Sequence, residues 1–339
     1  MLKKAEFDRV KPQNCVFIVM YRTTQEISGK FKGADILSLD QFSASDIQKV
    51  FVTADKLKPL RQKATASTLL SGNIVSLLFY EPSTRTFSSF CAAIKQLGGS
   101  TIEIHDVTSS SVAKGETLSD TIHTLQSYSD VIVLRHPEIG STAAAAKAAH
   151  IPIINAGDGT NEHPTQTLLD LYTIFETHKK LDRLTGVLAG DMLHGRTVKS
   201  LIRGLSLFKN NTLYLLSPEK LKLTKDEFKN LSKEIKLIEI TKTSEIPKNA
   251  DFWYWTRVQK ERFENVSEYE KLKHSFVLTP ELIKKYAGEK TIFMHPLPRV
   301  GEIDTEVDND MRAVYLTEQM KNGVYIRMAL LALVLGKIK

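Results

Sequence analysis

The stretch "FYEPSTRTFSSFCAAIKQLGG", residues 79 to 99, joins a short apolar run to a longer segment with helical periodicity. The run that leads into it, "GNIVSLLFY" at 72 to 80, is typical of a strand buried on both faces. Beyond the junction, and before the helix-ending pair Gly98-Gly99, apolar side chains recur on one helical stripe: Phe87, Phe90, Cys91, Ile94 and Leu97. The stretch therefore predicts a strand followed directly by a helix, which is the repeating unit of a parallel sheet.

The same alternation continues along the chain. In the first half we expect strands at "STIEIHD", "DVIVLRH" and "IPIINA" and a helix at "GETLSDTIHTLQSYS". After a long helix at "HPTQTLLDLYTIFETHKKL", we expect strands at "LTGVLAGD", "NTLYLLS", "KLIEI", "DFWYWT" and "TIFMHPLP", and helices at "RTVKSLIRGLSLF" and "TKDEFKNLSKE". This pattern predicts an α/β protein with two doubly wound parallel-sheet domains joined by long helices.

The predicted elements divide the chain into five segments. We expect an N-terminal arm, a first domain, an interdomain helix and a second domain at residues 1–30, 31–165, 166–180 and 181–314. The last segment, 315–339, has helical periodicity, and we expect it to pack back on the first domain. A chain of 339 residues is long enough for two domains that each bury a core.

Composition narrows the class of protein. The net charge of +7 comes mostly from lysines scattered over 209–248 and 258–290 without interleaved aromatic residues, which disfavours nucleic-acid binding and favours a small ligand that carries phosphate. The sequence contains no run of 18 uncharged apolar residues, so we expect no membrane span, and its opening does not resemble a secretory signal. Cys15 and Cys91 are too few for a disulfide framework and do not resemble metal ligands, so we expect a cytoplasmic protein, with an upstream targeting segment left open.

Ser83, Thr84, Arg85 and Thr86 occupy the junction between the first predicted strand and its helix. A helix N-terminus presents unpaired N–H groups and the positive end of the helix dipole, so it binds anions readily. The hydroxyl groups add donors, and the forked guanidinium of Arg85 matches the geometry of phosphate. A single hydroxyl residue here would be explained as an N-cap, because capping needs only one side chain. Four such residues in a row favour a phosphate site.

Further candidate ligands follow other predicted strands. Arg135 ends the strand in "VIVLRHP", where open α/β sheets bind ligands, although a single arginine also fits a surface salt bridge. His163 follows a Gly-rich loop, with Gln166 on the same helical face, and this pair suits a carbonyl oxygen or an NH₂ group. In "MHPLPRVGEID" the prolines lack N–H groups, which leaves the carbonyls of Pro296 and Leu297 to accept from a ligand amide.

Arginines also follow strands in the second half of the chain. Arg196 lies at a strand-to-helix junction in "GDMLHGRTVKS", and Arg257, Gln259 and Arg262 alternate along an extended arm in "WTRVQKERF". Arginines from separate loops suit a substrate with two carboxylates, because charged hydrogen bonds contribute about 1.5–3 kcal/mol each. By its charge pattern alone, the arm also fits a solvated polar loop.

Six of these motifs, in this order and at these separations, resemble the catalytic chains of the aspartate carbamoyltransferase family: "EPSTRT", "LRHP", "GDGTNEHPTQTLLDLYTI", "GRTVKSL", "TRVQKER" and "HPLPRVGEI". The resemblance covers roughly residues 30 to 336. It implies the transcarbamoylase fold and transfer of the carbamoyl group of carbamoyl phosphate to the α-amino group of L-aspartate, an early step of pyrimidine biosynthesis.

The resemblance also implies a role for each candidate residue. The phosphate of carbamoyl phosphate would be held by Ser83, Thr84, Arg85, Thr86 and Arg135. Its carbonyl oxygen would contact Arg85, Thr86 and His163, and its NH₂ group would contact Gln166 and the carbonyls of Pro296 and Leu297. The two carboxylates of L-aspartate would be held by Arg196, Arg257 and Gln259.

The segment "SSVAKGETL" resembles a mobile loop of the same family. By this resemblance, Ser110 and Lys114 would reach into the active site of the neighbouring subunit of a homotrimer, where Lys114 would bind aspartate and assist catalysis. At Leu193, followed by His194, the chain departs from a lysine that many members of the family carry, which affects contacts of that loop.

The implied chemistry needs neither a metal nor an organic cofactor. The amino group of aspartate attacks the carbamoyl carbon, an oxyanion develops, and phosphate leaves. Donors directed at the oxyanion supply the main catalytic effect, about 3–4 kcal/mol for a single donor in comparable sites. The departing phosphate can accept the proton of the attacking amine, so no dedicated protein base is expected.

Two other interpretations compete with this one. Ornithine or other carbamoyltransferases share the first substrate, but the ornithine family carries "HCLP" and "SMG" motifs where this chain has "HPLP" and "RVQKER". Arginines that bind carboxylates would also repel a cationic side chain. A non-catalytic homologue would lack Arg85, His163 or Arg257, and all three are present.

Overall fold

The computed structural model describes residues 25–63, 67–105, 114–224, 235–259 and 275–338, together with Ser267, Tyr269 and Leu272. Two parallel sheets organise these residues. The first has the order β2-β1-β3-β4 and consists of β1 (Ile74–Phe79), β2 (Ser100–Ile104), β3 (Val131–His136) and β4 (Ile153–Asp158). The second has the order β7-β6-β5-β8-β9 and consists of β5 (Thr185–Ala189), β6 (Asn211–Leu216), β7 (Ile235–Ile240), β8 (Phe252–Trp255) and β9 (Ile292–Met294).

Helices connect and cover the strands. In the first half they are α1 (Ala44–Gln62), α2 (Thr84–Gln96), α3 (Leu118–Gln126), α4 (Ser141–Ala148) and α5 (Pro164–His178). The second half contributes α6 (Arg196–Ser206), α7 (Pro280–Tyr286) and α8 (Glu318–Val334). The predicted α/β fold with two parallel sheets is confirmed.

The strands appear in the sequence as continuous apolar runs because their residues are buried. Every residue of β4 and β8 is buried, as is β1 from Val75 onward, because helices cover both faces of the parallel sheets. On α2, Phe90 and Ile94 from the predicted stripe are fully buried, and Phe87 packs against the same core. The stripe therefore orients α2 on its sheet, and so fixes where its N-terminus lies.

The C-terminal helix differs from its prediction at its start. Residues Val314–Leu316 form a 3₁₀ turn, and the helix α8 begins at Glu318 rather than near Tyr315. Beyond its first turn α8 is buried almost all round, and it packs against α1, α2 and α5. Helices α1, α4 and α7 have no counterpart in the sequence prediction, and the helix predicted at "TKDEFKNLSKE" falls almost wholly outside the described residues.

Residues 1–24 of the predicted N-terminal arm also lie outside the described residues. Where the description begins, Ile27 and Phe31 are buried in the main core, and the backbone N–H of Gly29 donates to Asp46 Oδ1 at 2.7 Å. Residues 27–31 therefore pack against the rest of the chain. The five segment boundaries themselves stay predictions.

The strand order reverses direction once in each sheet, and these two reversals indicate where a ligand-binding site is expected. In the first sheet β2 lies on one side of β1, while β3 and β4 lie on the other. In the second sheet β6 and β7 lie on one side of β5, while β8 and β9 lie on the other. Open parallel sheets bind ligands in the crevice beyond the carboxyl ends of the strands at such a reversal. The loops after β1, β3, β5 and β8 are therefore the expected site.

Candidate active site

A cavity of about 580 Å³ lies at the carboxyl ends of both sheets. Twelve of the fourteen predicted site residues line it: Ser83, Thr84, Arg85, Thr86, Arg135, His163, Gln166, Arg196, Arg257, Gln259, Pro296 and Leu297. The structure thus brings the candidate phosphate ligands and the candidate carboxylate ligands into one space. The roles assigned to the individual residues stay predictions.

Ser83 is the N-cap residue of α2, but its side chain makes no capping hydrogen bond. Other helices of the chain do use this device, since Ser43 caps α1 by accepting from Asp46 N and Thr117 caps α3 by accepting from Asp120 N. The Ser83 hydroxyl borders the cavity instead. The crowding of hydroxyl groups at 83–86 is therefore not explained by capping, and the N-terminus of α2 faces the cavity with its donors available.

Arg135 forms the adjoining wall from the end of β3. Its Nη2 lies 3.3 Å from Glu81 Oε2, and its Nη1 donates to the carbonyl of Ala156 at 3.2 Å. Its buried Nε has no hydrogen-bond partner in the described structure. A Cβ on Gly157 would lie 3.0 Å from Arg135 Nη1, so glycine leaves room for the guanidinium. The side chain is held on two sides and keeps donor capacity for an anion.

His163 lies at the N-terminus of α5 and is 5% exposed. Its Nε2 is 3.3 Å from Thr86 Oγ1, across the boundary between the loops after β1 and β4. Burial lowers the pKa of His163 well below its usual 6.5, and the positive charges of Arg196, Arg135 and Arg327 lower it further. The imidazole is therefore neutral at physiological pH and can donate one N–H to a ligand oxygen without carrying charge.

Gln166 lies one turn into α5, where its Nε2 donates to Asp170 Oδ1 at 3.0 Å. The opposite wall of the cavity is the loop after β9. There the Leu297 N–H donates to His295 Nδ1 at 2.7 Å, and His295 Nε2 lies 2.7 Å from Glu302 Oε1. This buried pair holds a turn in which Leu297 has a φ of 53° and precedes a cis proline. The carbonyls of Pro296 and Leu297 are thus carried on an internally braced loop.

The second-sheet wall is built from the loops after β5 and β8. Arg196 begins α6, and its guanidinium donates to the carbonyl of Gly159 in the loop after β4. Gln259 Nε2 donates to the His194 carbonyl at 3.0 Å, and His194 Nδ1 lies 3.2 Å from Asp191 Oδ1. The departure from the family pattern at Leu193 and His194 thus lies in a loop that contacts Gln259.

These two loops approach closely because of a glycine. Gly190 has a φ of +122°, and a Cβ there would lie 2.2 Å from the carbonyl oxygen of Thr256. The adjoining Arg257 lines the cavity from the end of β8. Glycine is therefore required for the loop that leads to Arg196 and the loop that carries Arg257 to lie side by side.

Of the remaining two predicted residues, the structure describes Lys114 alone. Lys114 is exposed and does not line the cavity of its own chain. Ser110 lies outside the described residues, as does Arg262. The assignment of Ser110 and Lys114 to a neighbouring subunit stays a prediction.

Sequence reasoning missed the charged residues that surround the predicted ligands. They are Glu81 beside Arg135, Asp170 beside Gln166, Glu302 beside His295, and the buried Arg327. Asp170 carries a readable signal, because it follows Gln166 by four residues on a helix and so shares its face. Arg327 lies in the apolar part of α8, and a charged side chain that is buried there is expected to have a partner.

No group of three or more His, Cys, Asp or Glu side chains within the described ranges could hold a metal ion. In the same part of the chain, no helix combines the length and the apolar character that a membrane crossing requires.

Comparison with known proteins identifies the class. The carbamoyl-phosphate-binding domain of the aspartate/ornithine carbamoyltransferases matches residues 34–176, and the aspartate/ornithine-binding domain of the same family matches residues 182–334. The chain belongs to the aspartate/ornithine carbamoyltransferase family.

Similar proteins within this family include a named aspartate carbamoyltransferase catalytic subunit, a multifunctional protein and a solved aspartate transcarbamoylase. The aspartate carbamoyltransferase catalytic subunit of Methanococcoides burtonii is 47% identical over 311 residues, which are 91% of this chain and 99% of the relative. The multifunctional protein pyr1-3 of Dictyostelium discoideum is 48% identical over 90% of this chain, which spans 14% of that longer protein. The crystal structure of Trypanosoma cruzi aspartate transcarbamoylase in complex with carbamoyl phosphate and aspartate superposes with a TM-score of 0.83 at 39% identity, covering 92% of this chain and 100% of that one.

Proposed function

We propose that this chain is an aspartate carbamoyltransferase, which transfers the carbamoyl group of carbamoyl phosphate to the α-amino group of L-aspartate. One observation carries the proposal: a single cavity of about 580 Å³ is lined from the first-sheet side by a helix N-terminus of the anion-binding kind with Arg85 and Arg135, and from the second-sheet side by the loops that carry Arg196 and Arg257. A phosphate at the first side and two carboxylates at the second leave the carbamoyl carbon between them.

We infer the roles of the first-sheet residues from the resemblance together with their positions in the cavity. Ser83, Thr84, Thr86 and the N–H groups of α2 hold the phosphate with Arg85 and Arg135. The phosphate end is thereby fixed, so the carbonyl oxygen reaches His163, whose neutral ring donates from Nε2. The NH₂ group reaches Gln166 and the carbonyls of Pro296 and Leu297 on the opposite wall.

The reaction then proceeds by addition and elimination. The neutral amine of aspartate forms a bond to the carbamoyl carbon, and the carbonyl electrons move onto oxygen. Arg85, Thr86 and His163 stabilise that oxyanion, each donor contributing about 3 kcal/mol. The oxyanion reforms the carbonyl as the bond from carbon to the phosphate oxygen breaks, and the leaving phosphate accepts the proton lost by the nitrogen.

The second-sheet residues select the acceptor. Arg196, Arg257 and Gln259 bind the two carboxylates of aspartate, and the same two guanidinium groups repel the cationic side chain of ornithine. We also propose that the protein acts as a homotrimer in the cytoplasm, in which Ser110 and Lys114 of one subunit complete the site of the next. The exposed position of Lys114, away from its own cavity, is compatible with that arrangement.

A product assay tests the proposal. Purified protein is incubated with carbamoyl phosphate and either L-aspartate or L-ornithine, and the carbamoylated product is measured colorimetrically. We expect carbamoyl aspartate and phosphate in equal amounts, and no citrulline. Formation of citrulline, or release of phosphate without carbamoyl aspartate, would contradict the assignment.

A further inference from the structure

A site that binds a carbamoyl group must distinguish its oxygen from its NH₂ group. Its oxygen and its NH₂ group are nearly equal in size, so only the pattern of donors and acceptors distinguishes one orientation from the other. The two side chains assigned to these groups are themselves ambiguous. The neutral imidazole of His163 can carry its proton on either nitrogen, and the amide of Gln166 can present either its oxygen or its NH₂. Productive binding requires a donor from His163 and an acceptor from Gln166.

Asp170 resolves the ambiguity of Gln166. Its carboxyl group is fully buried and accepts from Gln166 Nε2 at 3.0 Å, from Gln319 Nε2 at 2.7 Å and from the Tyr254 hydroxyl at 2.9 Å. A rotation that exchanged the oxygen and nitrogen of the Gln166 amide would place two oxygen lone pairs face to face. The contact therefore keeps the NH₂ of Gln166 on Asp170 and leaves its oxygen for the cavity.

Arg327 acts on the tautomer of His163 through the hydroxyl group of Thr165. Arg327 is 3% exposed, and its Nη2 donates to Thr165 Oγ1 at 3.4 Å. A guanidinium has donors only, so the Thr165 oxygen accepts this bond, and its own O–H can donate to His163 Nδ1 at 3.4 Å. With Nδ1 accepting, the ring proton lies on Nε2, the nitrogen next to Thr86.

The two buried groups have opposite charges and support each other. Burial raises the pKa of Asp170 to about 7, although the hydrogen bonds that it accepts lower it, and the tests are made above that pH. There its negative charge partly compensates the buried guanidinium of Arg327, which has no carboxylate within ion-pair distance in the described structure. The guanidinium also lies over the Phe90 ring, 5.0 Å from its centroid, and its Nη1 donates to the Gly323 carbonyl at 2.9 Å. Neither Asp170 nor Arg327 lines the 580 Å³ cavity.

We propose that Asp170 and Arg327 are positioning residues that set the hydrogen-bond polarity of Gln166 and His163, and thereby the orientation in which the carbamoyl group binds. This inference rests on the proposed function, because it assumes that His163 and Gln166 contact a carbamoyl group. It adds that the discrimination between oxygen and NH₂ is made by side chains that never touch the substrate.

The first test compares the binding of two ligands by calorimetry. Phosphonoacetamide carries a phosphonate and a terminal amide, whereas inorganic phosphate lacks the amide. We expect wild-type protein to bind phosphonoacetamide at least about tenfold more tightly than phosphate, a factor that one or two good hydrogen bonds supply. The variant Asp170→Leu, which keeps a side chain of similar length but removes the acceptor, should lose most of this preference while its affinity for phosphate stays within about twofold. Tyr254→Phe, which removes another donor from the same carboxylate, should keep the preference.

The outcomes separate the inference from the proposed function. A wild type without preference for phosphonoacetamide would contradict the proposed function itself. A wild type with the preference and an Asp170→Leu variant that retains it would overturn the inference alone. Equal loss of phosphate and phosphonoacetamide binding would also overturn it, because that result indicates general damage to the site.

The second test does not depend on ligand binding or on Asp170. Nitrogen-15 NMR of histidine-labelled protein distinguishes the two neutral tautomers, and His163→Asn assigns the signal. We expect the wild-type ring to carry its proton on Nε2. Thr165→Val, which preserves shape but removes the hydroxyl, should give a mixture of both tautomers. A wild-type proton on Nδ1, or a Thr165→Val spectrum identical to that of the wild type, would overturn the Arg327 half of the inference.

Discussion

Arg85 is a single residue whose loss should separate function from stability. Its guanidinium is exposed at the N-terminus of α2, borders the cavity and fills no core position. Arg85→Ala should therefore lower turnover by at least about 100-fold, the effect of removing one oxyanion donor. The free energy of unfolding should change by less than about 0.5 kcal/mol. Steady-state kinetics and urea unfolding measure the two quantities.

The matched control for this variant is Lys95→Ala, which removes a positive charge from an exposed position on the same helix. It should change neither quantity. An Arg85→Ala protein that unfolds readily but keeps its specific activity would show that the residue serves the helix and not the ligand.

His163 should make stability depend on pH in a defined direction. Its pKa is lowered well below 6.5 by burial and by Arg196, Arg135 and Arg327, whereas the unfolded chain takes up the proton near 6.5. Below pH 6.5 the unfolded state therefore binds a proton that the folded state does not. The stability that neutral His163 contributes is therefore fully present above pH 6.5. As pH falls below 6.5, the free energy of unfolding decreases by up to about 1.4 kcal/mol per pH unit.

Urea unfolding of wild type and His163→Asn at pH 7.5, 6.5 and 5.5 checks this prediction. The wild type should lose more free energy of unfolding than the variant between pH 6.5 and 5.5. Parallel curves would show that the folded and the unfolded chain protonate His163 over the same pH range.

The sequence allowed prediction of the residues that line the cavity, because they lie at the ends of strands of the parallel sheets or in the segments that follow those strands. It did not reveal the residues behind them. The pairing of Asp170 with Gln319 joins positions 149 residues apart, and that of Arg327 with Thr165 joins positions 162 apart. No local pattern in the sequence encodes such distances, so only the packing of α8 against α5 makes these contacts visible.

At the scale of elements, the strand reversals decide where the ligands lie. The strands could be predicted because burial on both faces produces short apolar runs. Strand order could not, because parallel pairing leaves no local sequence signal. Helix α1 did carry a signal in the spacing of Ile47, Val50, Phe51, Ala54 and Leu57, but it is interrupted by charged residues and contains Pro59. Its contact with α8, at the far end of the chain, supplies the stabilisation.

The division between the two sheets predicts separate effects on the two substrates. Arg257 follows β8 in the second sheet, so Arg257→Ala should raise the KM for aspartate by at least about tenfold, the lower bound for a charged hydrogen bond. The KM for carbamoyl phosphate should change by less than about threefold, because the residues assigned to its phosphate follow strands of the first sheet. Initial rates with each substrate varied in turn measure both constants.

Lys248→Ala provides the control, since it removes an exposed positive charge from the turn before β8, away from the cavity. It should leave both constants unchanged. A similar rise in both constants for Arg257→Ala, with the fold intact, would argue against a division of labour between the sheets.

At the scale of the whole molecule, the proposed trimer predicts complementation between two inactive variants. Lys114→Ala lacks the donated lysine and Arg257→Ala lacks the aspartate ligand, so each homotrimer should be nearly inactive. In a closed three-fold ring every subunit gives its loop to one neighbour only. Random reassembly of an equal mixture should pair an intact cavity with an intact loop in about a quarter of sites, and so restore about a quarter of wild-type activity.

Mixing the intact trimers without dissociation should restore nothing, which serves as the control. If co-refolded mixtures that contain verified hybrids stay as inactive as their parents, Lys114 does not act across a subunit interface.

The central claim is that one cavity holds both substrates at the same time, with the phosphate end on the first sheet and the carboxylates on the second. A bisubstrate ligand that joins a phosphonate through an acetyl group to the nitrogen of aspartate tests it most directly by calorimetry. Because linkage makes the second contact intramolecular, this ligand should bind at least about 100-fold more tightly than phosphonoacetamide or aspartate alone, and both Arg85→Ala and Arg257→Ala should weaken it. Binding no tighter than that of the better fragment, or binding that depends on only one of the two arginines, would contradict a shared cavity.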